Sequence, residues 1–264
     1  MLGVWFVLAT LWHYMVFYAY RDSGALVCRA IAGLPLIKMV ALSIGVSFWA
    51  TCEKWGMCSF WLSVAYVNTN LIFDTCLMGS FMLISKGWSI TRQIVPPQEW
   101  RVVLVLMSTF YLATSINLVL EASVYTTTGF WISNIVVYGI VYLNIVQSTL
   151  EQIKTIKTQV DPFKNANYSR DIVGPLKMKF RMYILFLVLV FSFMATEILT
   201  HSLLFTDERV WVALTFFELS QLLLIVLIGF FFRPREFSPF FFMVQTTMND
   251  QRARPTPIVE VDID

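Results

Sequence analysis

The sequence predicts an all-α polytopic membrane protein, a bundle of seven transmembrane helices. Three observations predict it. Of the 264 residues 58% are hydrophobic and only 14% charged, against about 45–50% and about 25% in a soluble domain. Seven apolar stretches are each long enough, at about 20 residues, to cross a bilayer as a helix that satisfies its own backbone polar groups. The basic residues, finally, gather in alternate connections.

The stretches lie at about 1–20, 30–52, 58–85, 100–121, 127–148, 180–203 and 210–232, each near the length that hydrocarbon demands. The first, "MLGVWFVLATLWHYMVFYAYRD", lacks the basic start and small-residue cleavage site of a secretory signal and reads as a retained helix. The second carries Lys38. Between the second and third, Cys52 and Cys58 flank the short loop "EKWGM", where they can pair as a disulfide in an oxidising compartment or stay buried thiols. The third holds Asn68, Asn70 and Asp74, the fourth Asn117, the sixth Glu197, and the seventh Glu218 and Gln221. The connection from Thr149 to Lys179 predicts a polar extension of the fifth helix, broken at Asp161-Pro162 and Gly174-Pro175. Residues 1–236 form the membrane domain. Residues 237–264 form a tail that lies along the interface and then becomes disordered.

Charge sets orientation. Of 19 lysines and arginines, all but Lys54, Arg209 and Lys38 fall on the side of the first, third and fifth connections and the tail, which predicts a luminal or extracellular N-terminus and a cytoplasmic C-terminus. "NYS" at Asn167–Ser169 is then cytoplasmic and unused as a glycosylation acceptor. Cys28, beside Arg29, is a weak palmitoylation signal.

Four cysteines without ligand spacing and two histidines predict no metal site, and a net charge of +2 gives no general attraction for nucleic acid. No nucleophile-base constellation or phosphate loop is visible, so the chain is expected not to be an enzyme. His13, in an aromatic helix, reads as a packing residue.

Ionisable groups within spans are costly and mark function by default. At ~1.5 Å per residue, Lys38 lies about 12 Å, Asp74 about 16 Å and Glu218 about 21 Å from the basic ends of their helices. That spacing predicts a Lys38–Asp74 pair, with snorkelling of Lys38 to the interface as the alternative. Asn70 and Asp74 share one helix face, Glu218 and Gln221 line a polar cavity, and Glu197 either joins them or snorkels.

Four motifs resemble the GOST superfamily of seven-transmembrane proteins, which includes Golgi-localised and lung members and is related in fold to Wntless: "YAYRDSGALVCRAIAGLPLIKMVALSI" with Lys38, "LISKGWSITR" with Gly87 and Trp88, "LKMKFRMYILFL", and "FFELSQLLLIVLIGFFFRPREFSPF" with Glu218, Gly229, Arg233, Pro234 and Pro239. Family members usually carry a luminal β-rich domain before the helices, whereas this chain begins inside helix 1. The resemblance implies a lipid-accessible central cavity, no cofactor beyond a bound phospholipid, residence in the Golgi, endosomes or plasma membrane, and work in trafficking membrane-protein or lipidated cargo. The rival reading is a signalling receptor with a G-protein partner, although helix 3 ends "LISKGW" without an Asp-Arg-Tyr-like triplet. An ion or proton pathway ranks third.

Overall fold

A computed structural model describes residues 1–19, 26–88, 90, 91, 95–120, 127–165, 170–204 and 210–231. Among these are seven α-helices and no strand: α1 (Leu2–Tyr14), α2 (Leu26–Trp55), α3 (Phe60–Ser85), α4 (Pro97–Leu120), α5 (Thr127–Asn165), α6 (Arg170–Leu204) and α7 (Val210–Phe231). A π-helical turn, Met15–Ala19, continues α1. Five of the helices, α2, α3, α4, α6 and α7, are long and apolar enough to span a membrane over their described residues.

Each helix packs on its chain neighbour, and α3 lies innermost, touching α2, α4 and α5, while α7 packs on α6 and α2. The sequence of α3 explains its place. Leu71, Phe73, Leu77, Met78, Phe81, Met82 and Ile84 are all buried, and Phe81 meets Phe186 and Phe193 of α6 edge-on at 5.9 and 6.0 Å between ring centres, a geometry that aromatic quadrupoles favour. The outward faces are apolar too: Val105, Leu143, Val188 and Leu223 are exposed, as a lipid-facing belt requires.

The connection between α5 and α6 departs from expectation. Both helices run on through the Asp161-Pro162 and Gly174-Pro175 positions, α5 to Asn165 and α6 from Arg170. Extending an established helix adds one bond per residue fixed, whereas starting a new element repeats the cost of nucleation, so the loss of one amide donor at each proline does not end the helix. At ~1.5 Å per residue α5 is about 58 Å long and α6 about 52 Å, well beyond a hydrocarbon core of about 30 Å. Residues 166–169, including all of "NYS", lie outside the described residues, as do Arg21, Arg233, Pro234, Pro239 and the tail. The side chains of Cys28 and Asn117 are likewise not described.

Two motif glycines have steric roles. Gly87 ends α3 with φ +87°, its N–H donating to the Ile84 carbonyl at 2.9 Å and that of Trp88 to Leu83 at 3.1 Å, the paired bonds of a Schellman cap. Trp88 then packs on the core. Thr91 donates to Gln152 Oε1 of α5 at 3.0 Å and lies 3.5 Å from the Tyr183 hydroxyl of α6, so the end of α3 is fastened to two other helices. Gly229 of α7 carries the indole of Trp12 from α1 where a Cβ would stand. Gly229→Ala is therefore expected to cost about 1–3 kcal/mol by overpacking. A lowered melting temperature in mild detergent, partly restored by adding Trp12→Leu, is the measurement that checks it.

At the opposite end from Gly87, Cys52 and Cys58 form a disulfide across the α2–α3 turn, with Cα atoms 4.4 Å apart. Trp49, Trp55, Phe60 and Trp61 around it are exposed, as aromatic residues at a membrane interface are. His13 is satisfied within α1, its Nδ1–H donating to the Ala9 carbonyl at 3.1 Å and its ring stacking on Phe17.

Candidate functional site

Tyr66, Asn70 and Asp74 recur every four residues along α3 and so form one stripe facing the bundle. Lys38 of α2 and Glu218 and Gln221 of α7 meet that stripe. Lys38 Nζ lies 2.7 Å from Glu218 Oε1, donates to Asn70 Oδ1 at 3.3 Å and sits 4.9 Å from the centre of the Phe73 ring. Its three N–H bonds are thus directed at a carboxylate, an amide and a π face. Gln221 Nε2 donates to Asp74 Oδ1 at 3.2 Å, and Asn70 Nδ2 to the Tyr66 carbonyl at 2.9 Å. All five residues singled out from sequence, Lys38, Asn70, Asp74, Glu218 and Gln221, therefore belong to one cluster.

Two expectations are corrected. The ion pair of Lys38 is with Glu218, not Asp74, and Lys38, only 1% exposed, does not snorkel. Level does not decide the partner: measured from Leu26, Ser85 and Phe231, Lys38, Asp74 and Glu218 stand about 18, 16 and 20 Å along their helices. The ion pair is made where α7 packs on α2, and Asp74 accepts from the amide of Gln221.

Glu197 does not snorkel either. It accepts a hydrogen bond from the Tyr142 hydroxyl of α5 at 2.9 Å and lies within electrostatic range of Asp74. Tyr138 stacks near Tyr142, with ring centres 6.4 Å apart. Sequence reasoning missed Tyr66, Tyr138 and Tyr142; their four-residue spacing, in register with Asn70 and Asp74 or with each other, was the available signal. Asn68 lies off the cluster, on an exposed face, where its Oδ1 accepts from Tyr111 at 2.6 Å.

The site's unused capacity is specific. Among the described residues, Glu218 Oε2 and Gln221 Oε1 are buried acceptors with no hydrogen-bond partner, and the indole N–H of Trp5, beside Phe73, is a buried donor without one; the indole N–H of Trp12, away from the cluster against Gly229, is likewise unpaired. Burying such an atom unpaired costs about 1–3 kcal/mol. Among the described residues no three His, Cys, Asp or Glu side chains gather as a metal site would require.

Eleven residues, about three helical turns, separate Glu218 from Gly229, so one face of α7 carries both the ion pair and the seat of Trp12. The family model described as "GOST, seven transmembrane domain" matches residues 1–239. The chain belongs to the GOST seven-transmembrane family. Comparison with curated proteins finds no match. The GOST match takes in the four motifs, the last of them as far as Pro239, and within this GOST domain Gly87 caps α3 and Gly229 seats Trp12. It is an integral multi-pass membrane protein.

Proposed function

We propose that this GOST protein is a non-enzymatic trafficking factor of the secretory pathway, in the Golgi or endosomes, that holds a lipid or the acyl chain of a cargo protein within its bundle. Lys38, Asn70, Asp74, Glu218 and Gln221 form the polar lining in this reading. The observation that carries it is the cluster itself: a buried, charge-bearing centre in which Glu218 Oε2 and Gln221 Oε1 still accept nothing. Ionisable groups within spans mark function by default, and two acceptors side by side ask for a ligand that donates. The N-terminus is luminal and the C-terminus cytoplasmic in this reading, supported by the basic bias of one end and by the disulfide at the other, which suits an oxidising lumen.

The test is to purify the protein in mild detergent and identify co-purifying lipids by mass spectrometry. Wild type is expected to retain a lipid that Lys38→Ala and Glu218→Gln release. Absence of any retained lipid, together with a core filled by side chains, would overturn the reading.

A further inference from the structure

Lys154 and Lys157 of α5 and Lys177 and Arg181 of α6 are exposed, and among the described residues none of them lies within ion-pair distance of a carboxylate. Glu151, one turn before Lys154, is exposed as well and makes no such pair among the described residues. Register places the four cations. Gln152 and Tyr183 both reach Thr91, so these positions are level in the antiparallel pair. Two residues further along α5 and two back along α6, Lys154 is level with Arg181. Lys157 and Lys177 form a second tier about 5 Å beyond, one helical turn.

The tiers stand over apolar tracks. On α5 the exposed Leu143 and Leu150 lead at helical spacing into Lys154 and Lys157, and on α6 the exposed Val188 and Ile184 lead into Arg181 and Lys177. The two helices pack side by side, so the tracks share the outward face. Thr91 lies beyond the end of α3, which sets the first tier at the level where hydrocarbon gives way to headgroups.

We propose that the outward face of α5 and α6 binds a polyanionic phospholipid, its phosphates against Lys154, Lys157, Lys177 and Arg181 and its acyl chains on the apolar tracks beneath. One phosphodiester neutralises one charge; four cations in two tiers, without an ion pair among the described residues, fit a headgroup with further phosphates. Arg181 offers a planar fork suited to phosphate oxygens. The continuity of charge with exposed apolar surface selects a lipid over a soluble phosphate, because only a lipid uses both halves. This site is remote from the polar cluster and stands whether or not that cluster holds a ligand.

The test uses the full chain in phosphatidylcholine nanodiscs, alone or doped with phosphatidylinositol bisphosphate or phosphatidylserine, read by native mass spectrometry. The bisphosphate lipid is expected to bind about tenfold or more tightly than the singly charged one. Replacing all four cations by Gln is expected to abolish that preference while leaving the melting temperature in phosphatidylcholine unchanged. If the fourfold variant does not purify, K154Q/R181Q and K157Q/K177Q each report a loss of the same sign. Unchanged binding by these variants, equal affinity for the two lipids, or competition by soluble inositol phosphates as strong as by the lipid would overturn the proposal.

Discussion

Lys38→Met is expected to be among the most destabilising single substitutions in the bundle, by about 3–5 kcal/mol. The change removes the ammonium 2.7 Å from Glu218 and leaves a carboxylate among packed helices, with Asn70 Oδ1 losing its donor as well. Most of that cost is the stranded partner rather than the worth of the pair. The double substitution Lys38→Met/Glu218→Met exchanges both charges for apolar side chains of similar volume and is expected to stand within about 1–2 kcal/mol of wild type. Melting temperatures of the four members of the cycle in one detergent decide it. Additive losses from the two substitutions would show that the pair contributes no coupling.

Gly87→Ala is the second. An alanine there must adopt φ +87°, which costs an L-residue about 1–2 kcal/mol, and its Cβ would overlap Thr91 Oγ1 and press to 3.2 Å from both Gln152 Oε1 and the Tyr183 hydroxyl. Relief requires Thr91 to turn away from Gln152, so backbone strain and loss of the α3–α5 hydrogen bond come together. Thr91→Ala alone removes the hydrogen bond and is expected to cost about 0.5–1.5 kcal/mol. A larger drop in melting temperature for Gly87→Ala than for Thr91→Ala checks the argument; equal drops would assign the whole effect to the hydrogen bond.

The fold was legible because the bilayer imposes a length and a composition that survive in a single sequence. Lys38, Asn70, Asp74, Glu218 and Gln221 were legible for the same reason, since polar atoms stand out against hydrocarbon. Their pairing was not. It depended on which helices meet across the bundle: Lys38, Asp74 and Glu218 stand at nearly one level, and a single sequence does not say that α7 packs on α2. The tyrosines escaped notice because a tyrosine in an aromatic-rich span looks like packing until its hydroxyl is placed. The reach of α5 and α6 past their prolines was hidden because a proline reports a missing amide, not whether the surrounding helix outweighs it.

The central position of α3 has a consequence for biosynthesis. Asn70 and Asp74 enter the membrane before Glu218 and Gln221 are made, 144 to 151 residues later in the chain. During that interval Lys38, on the helix just before, is the charged partner at hand, and its position beside Asn70 is already reachable within the α2–α3 hairpin. Only α7 brings a carboxylate to the ammonium and the Gln221 amide to Asp74. A chain halted before α7 lacks both Glu218 and Gln221, and so leaves Lys38 without its carboxylate and Asp74 without the amide that donates to it.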